Sequence, residues 1–305
     1  MHTALTSDQA TVVSSGHTFL EGPRWHGGAL WVSDFYTERV LSFEPQSDGS
    51  HVQHVICSVP GRPSGLGFSP DGDLLVVSML ERAVKRWDGT ALTTFAEFGH
   101  LVDGVANDMF VFESGWALVG NFGNSNEHPE RMTLTDLVRI SPEGNADLAG
   151  VSLVFPNGMV ATAGEFVVAE TFAGRITAFA LTEDDKRGPR LGAPRTWKQF
   201  GEAPDFLDIA RATAELEALP DGLALDTSGA IWVASSNGHR ALRIAPSGAV
   251  LESVDVGALS VYALALGGPN LTTLYLCCSP ALGENNPAES TDSVLMAAEV
   301  HVPGV

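Results

Sequence analysis

Glu21, Asn107, Asn157 and Asp221 stand in four similar settings, LEGPRW, VAND, FPNG and PDGLALD, each at the opening of an apolar segment. All four side chains offer oxygen, two as carboxylates and two as amides. Hard divalent cations take this kind of ligand set, with water and substrate oxygens completing the shell. Glu21 and Asp221 bring two negative charges, which match one divalent ion and are costly to hold unneutralised at the mouth of an apolar channel. A lone Asn before Gly reads most simply as a turn cap. Four oxygen-bearing residues at equivalent places in a repeat favour a shared site instead. Ca²⁺ is the first expectation; Mg²⁺, Mn²⁺ and Zn²⁺ also suit the set, and availability often decides between them.

Residues so far apart in sequence converge only if a repeated element carries them. Six segments share one plan: a small or polar residue near Gly or Asn, an apolar run, a turn, and an alternating strand. They begin at Glu21, Pro63, Val105, Phe155, Pro220 and Val261. Taking Gly22, Ser64, Asn107, Gly158, Gly222 and Tyr262 as equivalents, the spacings are 42, 43, 51, 64 and 40 residues. A four-stranded propeller blade repeats every ~40 to 50 residues. HGG, SPDGD, ESG, TAGE, DTSGA and GGPN supply a turn between two apolar runs in each segment. The expected fold is therefore all-β, a six-bladed β-propeller with a metal site in its central channel, as a single domain over residues 1–305. The longest spacing predicts an inserted short helix over Asp205–Leu219, and Thr11–Leu20 is expected to pair with the last blade and close the ring.

Composition narrows the partners. The chain has 305 residues, 44% hydrophobic and 18% charged, with 32 Gly and 17 Pro dispersed along it. Lys and Arg number 17 against 37 Asp and Glu, a formal net charge of −20. That field repels nucleic-acid phosphate and anionic membrane surfaces, so a small-molecule substrate is expected, with no nucleic acid and no membrane. Oligomeric state is left open. Three cysteines, Cys57, Cys277 and Cys278, make no disulfide framework. No secretory signal or membrane-length apolar run is visible, which points to a cytoplasmic protein.

The segments LEGPRW, AND, FPNG, PDGLALD and LGGPNLTTLYL, in this order over roughly residues 19 to 280, resemble the senescence-marker-protein (regucalcin)/gluconolactonase family of calcium-dependent six-bladed propeller lactonases. The resemblance implies that Glu21, Asn157 and Asp221 ligate the metal, that Asn107 faces metal and substrate, and that Asp221 doubles as general base. Asn107, Asn121, Phe122 and His128 are the expected substrate-binding residues. In that chemistry the ion stabilises the developing oxyanion of a lactone while the carboxylate activates water. Sugar-lactone members carry Arg two residues before the Asn; Val105 stands there in this chain. Loss of the guanidinium, with Phe122 in the following strand, points to a substrate less hydroxylated than a sugar lactone. The alternatives are another propeller enzyme, of phosphotriester-hydrolase or strictosidine-synthase type, and a non-catalytic binding propeller. Zinc-protease, nucleophile-elbow, P-loop and dinucleotide motifs are absent from the sequence.

Overall fold

A computed structural model describes residues 3–5, 10–123, 132–184, 186–202, 208–281 and 283–305. Six antiparallel sheets of four strands hold most of its strands, the six-bladed propeller expected from the repeat. The chain divides into two compact units, Met1–Ser58 with Pro220–Val305, and Val59–Leu219.

In the first unit, the first sheet runs Leu20–His26, Ala29–Asp34, Arg39–Pro45 and His51–Ser58. The fifth runs Pro220–Leu225, Ile231–Ser235, Arg240–Ile244 and Val250–Asp255, with Thr3–Leu5 added in parallel at its outer edge. The sixth orders Ser260–Gly267, Thr273–Ser279 and Ser293–Glu299, and its fourth strand is Thr11–His17. The expected terminal strand thus closes the last sheet.

The second unit holds the other three. The second sheet is Pro63–Phe68, Leu74–Ser78, Ala83–Trp87 and Leu92–Glu97. The third is Ala106–Val111, Ala117–Asn121, Val138–Ile140 and Ala146–Leu148. The fourth is Pro156–Thr162, Glu165–Glu170, Arg175–Thr182 and Arg190–Gln199. The helix expected over 205–219 spans only Ile209–Glu215, capped by the Asp208 side chain accepting from Arg211 N at 3.1 Å. Residues 205–207 of that expectation lie outside the described residues. No described helix is long and apolar enough to cross a membrane.

Apolar residues fill the spaces between neighbouring sheets. Leu30, Val32, Leu41 and Phe43 of the first sheet pack on Ala263, Tyr275, Cys277 and Leu295 of the sixth. Leu75, Val77 and Val84 of the second pack on Met109, Val119 and Ile140 of the third. First strands are buried along most of their length, because both sheet faces are covered, and they read as near-continuous apolar runs. In the first sheet the turn between strands is Gly27-Gly28, with φ of +60° and +85°. A two-residue turn of this kind needs positive φ at both central positions, which explains the HGG signal.

Candidate active site

One irregularity recurs in every sheet and determines where the polar residues sit. Leu20 pairs with Asp34 and Arg24 with Trp31, four residues of the first strand spanning three of the second. The same count separates Pro63–Ser78 from Gly67–Leu75, and Ala106–Asn121 from Phe110–Leu118. It recurs from Pro156–Glu170 to Val160–Val167, from Pro220–Ser235 to Ala224–Trp232, and from Ser260–Ser279 to Leu264–Leu276. A bulge with one extra residue bends the strand and re-aims its side chains. The residue just after the opening pair is Glu21, Ser64, Asn107, Asn157, Asp221 and Val261 in turn.

This register corrects the equivalence read from the sequence by one residue in two segments. Ser64 and Asn107 align with Glu21, not with Gly22, whose true equivalents are Gly65 and Asp108. The expected four metal residues therefore occupy one repeated position, and all four are buried. The sixth sheet departs from the plan. Val261 takes the oxygen-donor position, and Tyr262 stands where the first, second, fourth and fifth sheets have glycine.

In the first unit the strand Ser260–Gly267 has Leu20–His26 and Pro220–Leu225 as its neighbours. The approach to the latter is close: a Cβ added at Gly222 would stand 2.7 Å from Ala263 Cα. Glycine after Asp221 is thus required by backbone contact. Between the two flanking strands sits Tyr262, 3% exposed, its hydroxyl donating to Pro280 O at 2.9 Å and its ring edge-on to Phe19 at 4.8 Å. Burial, then the charge of Asp221, and after these the charges of Glu21 and Glu284, push the Tyr262 phenol well above its usual range. Burial, followed by the Glu21 charge, likewise raises the Cys277 thiol. Two buried carboxylates thus share one phenol's surroundings. Tyr262 is the site residue that sequence reasoning left without a role, although the repeat had already singled out its position.

In the second unit, Ala106–Val111 and Pro156–Thr162 are adjacent first strands, which carry Asn107 and Asn157. Asn157 Nδ2 donates to Thr171 Oγ1 at 3.3 Å. The buried Asn107 Nδ2 has no hydrogen-bond partner. Folded chains rarely leave such an amide uncompensated unless it addresses something bound. Asp108, beside it, accepts from Met109 N at 2.7 Å.

Asn121, expected to bind substrate, is engaged within the chain. Its side chain is fully buried: Oδ1 accepts from Gly123 N at 3.1 Å and from Thr135 Oγ1 at 2.7 Å, while Nδ2 donates to Asp136 O at 2.9 Å. An amide so engaged braces the chain and has little left for a substrate. Its place in the repeat explains why. Asp34, Ser78, Asn121 and Glu170 all end second strands, and each ties down a nearby loop. Asp34 accepts from Thr18 N and Phe19 N, Ser78 donates to Pro60 O, and Glu170 accepts from Val154 N. Phe122, next to Asn121, is half-buried and stacks on Phe155 with centroids 4.4 Å apart. His128 lies outside the described residues.

The donor chemistry fits a hard cation. Glu21 and Asp221 supply buried negative charge in one neighbourhood, and the amides of Asn107 and Asn157 supply neutral oxygen. Among the described residues no group of three or more His, Cys, Asp or Glu is arranged to hold a metal, and the expected set contains only two such residues.

Comparison with known proteins gives a consistent picture. The SMP-30/gluconolactonase/LRE-like region matches residues 19–279. A pentonolactonase of Haloferax volcanii is 27% identical over 294 residues, covering 94% of this chain and 90% of that one. A 6-deoxy-6-sulfogluconolactonase of Pseudomonas putida is 37% identical over 90 residues, 28% of this chain and 30% of its own. Among solved structures, a calcium-binding protein, regucalcin, from Agrobacterium tumefaciens superposes with a TM-score of 0.77 at 17% identity, covering 100% of this chain and 98% of that chain. A gluconolactonase from Xanthomonas campestris gives 0.69 at 18% identity, with coverage of 96% and 89%. At such identities the structural likeness speaks to fold alone.

Proposed function

Because the chain belongs to the SMP-30/gluconolactonase/LRE-like family, we propose that it is a metal-dependent lactonase acting on a ring ester less hydroxylated than a sugar lactone. Pentonolactonase and 6-deoxy-6-sulfogluconolactonase relatives support the reaction class. The observation that carries the reading is the pair of buried carboxylates, Glu21 and Asp221, flanking Tyr262. Such a pair is stable when a cation shares its neighbourhood.

In this reading Glu21, Asn157 and Asp221 hold the divalent ion, Ca²⁺ first, and Asn107 faces ion and substrate. When bound, the ion supplies electrostatic stabilisation for negative charge developing on the lactone carbonyl oxygen. Asp221 takes a proton from water as the water oxygen bonds to the carbonyl carbon. The ring C–O bond then breaks, and the departing ring oxygen takes up a proton to leave a hydroxy acid. The Asn107 amide donates to a substrate oxygen, which answers its missing partner. Tyr262, its proton committed to Pro280, walls the carboxylates from one side. Val105 in place of a guanidinium removes a charged donor for sugar hydroxyls.

The test is a pH-indicator hydrolysis screen over hydroxylated and apolar lactones, with chelator-treated protein and added Ca²⁺, Mg²⁺, Mn²⁺ or Zn²⁺. Metal-restored turnover of apolar lactones above aldonolactones supports the reading. Turnover unaffected by the chelator, or absent on every lactone, overturns it.

A further inference from the structure

Beside the two asparagines of the second unit lies an aromatic ladder that neither the fold nor the reaction explains. Phe122 stacks on Phe155 at 4.4 Å with rings 22° from parallel, and Phe155 meets the buried Phe172 edge-on at 4.9 Å. Phe172 belongs to a core cluster with Met132, Leu216 and Leu219. Phe122 and Phe155 are only half-buried, so apolar faces remain toward solvent at the end of the ladder away from the core.

The backbone holds both rings in place. Phe122 N donates to Val105 O at 2.9 Å, and Asn121 Oδ1 accepts from Gly123 N, so hydrogen bonds on either side anchor Phe122. Phe155 has φ of +48°, in the left-handed region that a bulky residue rarely adopts, and proline follows it. Arg62, before Pro63 in the second sheet, shares this backbone with φ of +67°. The second and fourth sheets thus share this backbone, and the aromatic ring placed on it is what distinguishes Phe155. Thr171 N donates to Phe155 O at 3.3 Å, and Thr171 Oγ1 accepts from Asn157 Nδ2. One residue thus braces both the strained ring and the candidate ligand two positions later. Two half-exposed aromatic faces are held beside Val105, whose carbonyl anchors Phe122, and two residues before Asn157.

We propose that Phe122 and Phe155 form a specificity ledge that receives an alkyl or aryl substituent on the lactone ring. Ring faces without a hydrogen-bonding group reward apolar surface and give nothing to hydroxyls. This deepens the lactonase reading and rests on it for the site, yet it makes its own claim about which substituent the chain selects.

The experiment compares a phenyl-substituted δ-lactone with a pentono-lactone across the parent, Phe122→Ala, Phe155→Ala and the milder Phe122→Leu and Phe155→Leu. Binding of the phenyl-substituted cyclic ketone, which cannot be hydrolysed, is measured by calorimetry on the same proteins. The alanine variants are expected to raise KM for the phenyl lactone roughly tenfold with kcat nearly kept, and to weaken ketone binding alike. The pento-lactone KM stays within about twofold, and the leucine variants fall between parent and alanine. Equal losses on both substrates, or ketone binding unchanged in every variant, overturn the ledge. If no lactone is hydrolysed at all, the ketone measurement still decides: binding lost in the variants supports the ledge while the reaction reading fails.

Discussion

Gly222 and Ala263 approach so closely that a methyl group at 222 would stand 2.7 Å from the Ala263 Cα and 3.0 Å from Leu264 N. Asp221 precedes this contact and Tyr262 precedes its partner. Backbone packing between two strands therefore determines where a carboxylate and a phenol meet. Gly222→Ala should lower unfolding stability by about 1–3 kcal/mol through overpacking. It should also weaken Ca²⁺ binding, because Asp221 moves with the strand. Denaturant midpoints and calorimetric titration check both effects. An alanine variant with parental stability would show that the strands separate easily.

Asp221→Asn should keep the fold and lose lactone hydrolysis by at least about a hundredfold, since asparagine keeps an oxygen but cannot accept the proton. Glu21→Gln should weaken ion affinity first, and excess metal should restore part of its rate. Initial rates against metal concentration separate the two roles. If Asp221→Asn turns over normally with metal bound, the base lies elsewhere, and Asp108 and His128 are next to be tested.

Chelation should lower the melting temperature, because a ligand bound only to the folded state stabilises by mass action, about 2.7 kcal/mol at a hundred times Kd. Scanning calorimetry with and without added Ca²⁺ measures it. Verified removal of the ion without a shift would count against a cation between the carboxylates.

Register explains how much of this was readable in the residues. Six segments with turn signals and spacings near one blade length carried the fold, since period-2 strands and glycine turns are local features. The shared repeat position of Glu21, Asn157 and Asp221 was legible because each sits in a short, distinctive setting. Asn107 was found but aligned one residue off, because a bulge adds a residue without leaving any mark in composition. Asn121 looked like a site residue by its type. Its three hydrogen bonds to residues 123, 135 and 136 became visible only once the loop was in place. Tyr262 was noticed as a repeat position, but its closeness to Asp221 and Glu21 depends on which first strands are neighbours, and no local pattern encodes that.

Acid should destabilise the closing strand. Burial lowers the proton affinity of His17, with the Asp34 carboxylate opposing this to a smaller degree, and the ring pairs with Ser14 Oγ at 2.8 Å. A histidine whose folded pKa lies below its unfolded value of about 6.5 contributes nothing adverse above that pH. It progressively favours unfolding as pH falls below it. Thermal midpoints between pH 8 and 5 should therefore fall less steeply in His17→Gln than in the parent. Parallel pH profiles would remove His17 from the account.

The strand Thr11–His17 completes a sheet whose other members come from the far end of the chain, and Leu20 N reaches Ser293 Oγ across 273 positions. That pairing closes a very long loop, with an entropic penalty that must be met before the contact rewards it. The other five sheets build their four-stranded cores from consecutive segments and can form as hairpins while the sixth waits. A circular permutant that joins the present termini and opens in the loop before Pro63 would place Thr11–His17 shortly after Ser293–Glu299, separated from it only by the joined terminal segments. The slowest assembly step would become a local one, and refolding should accelerate while the finished sheet stays the same.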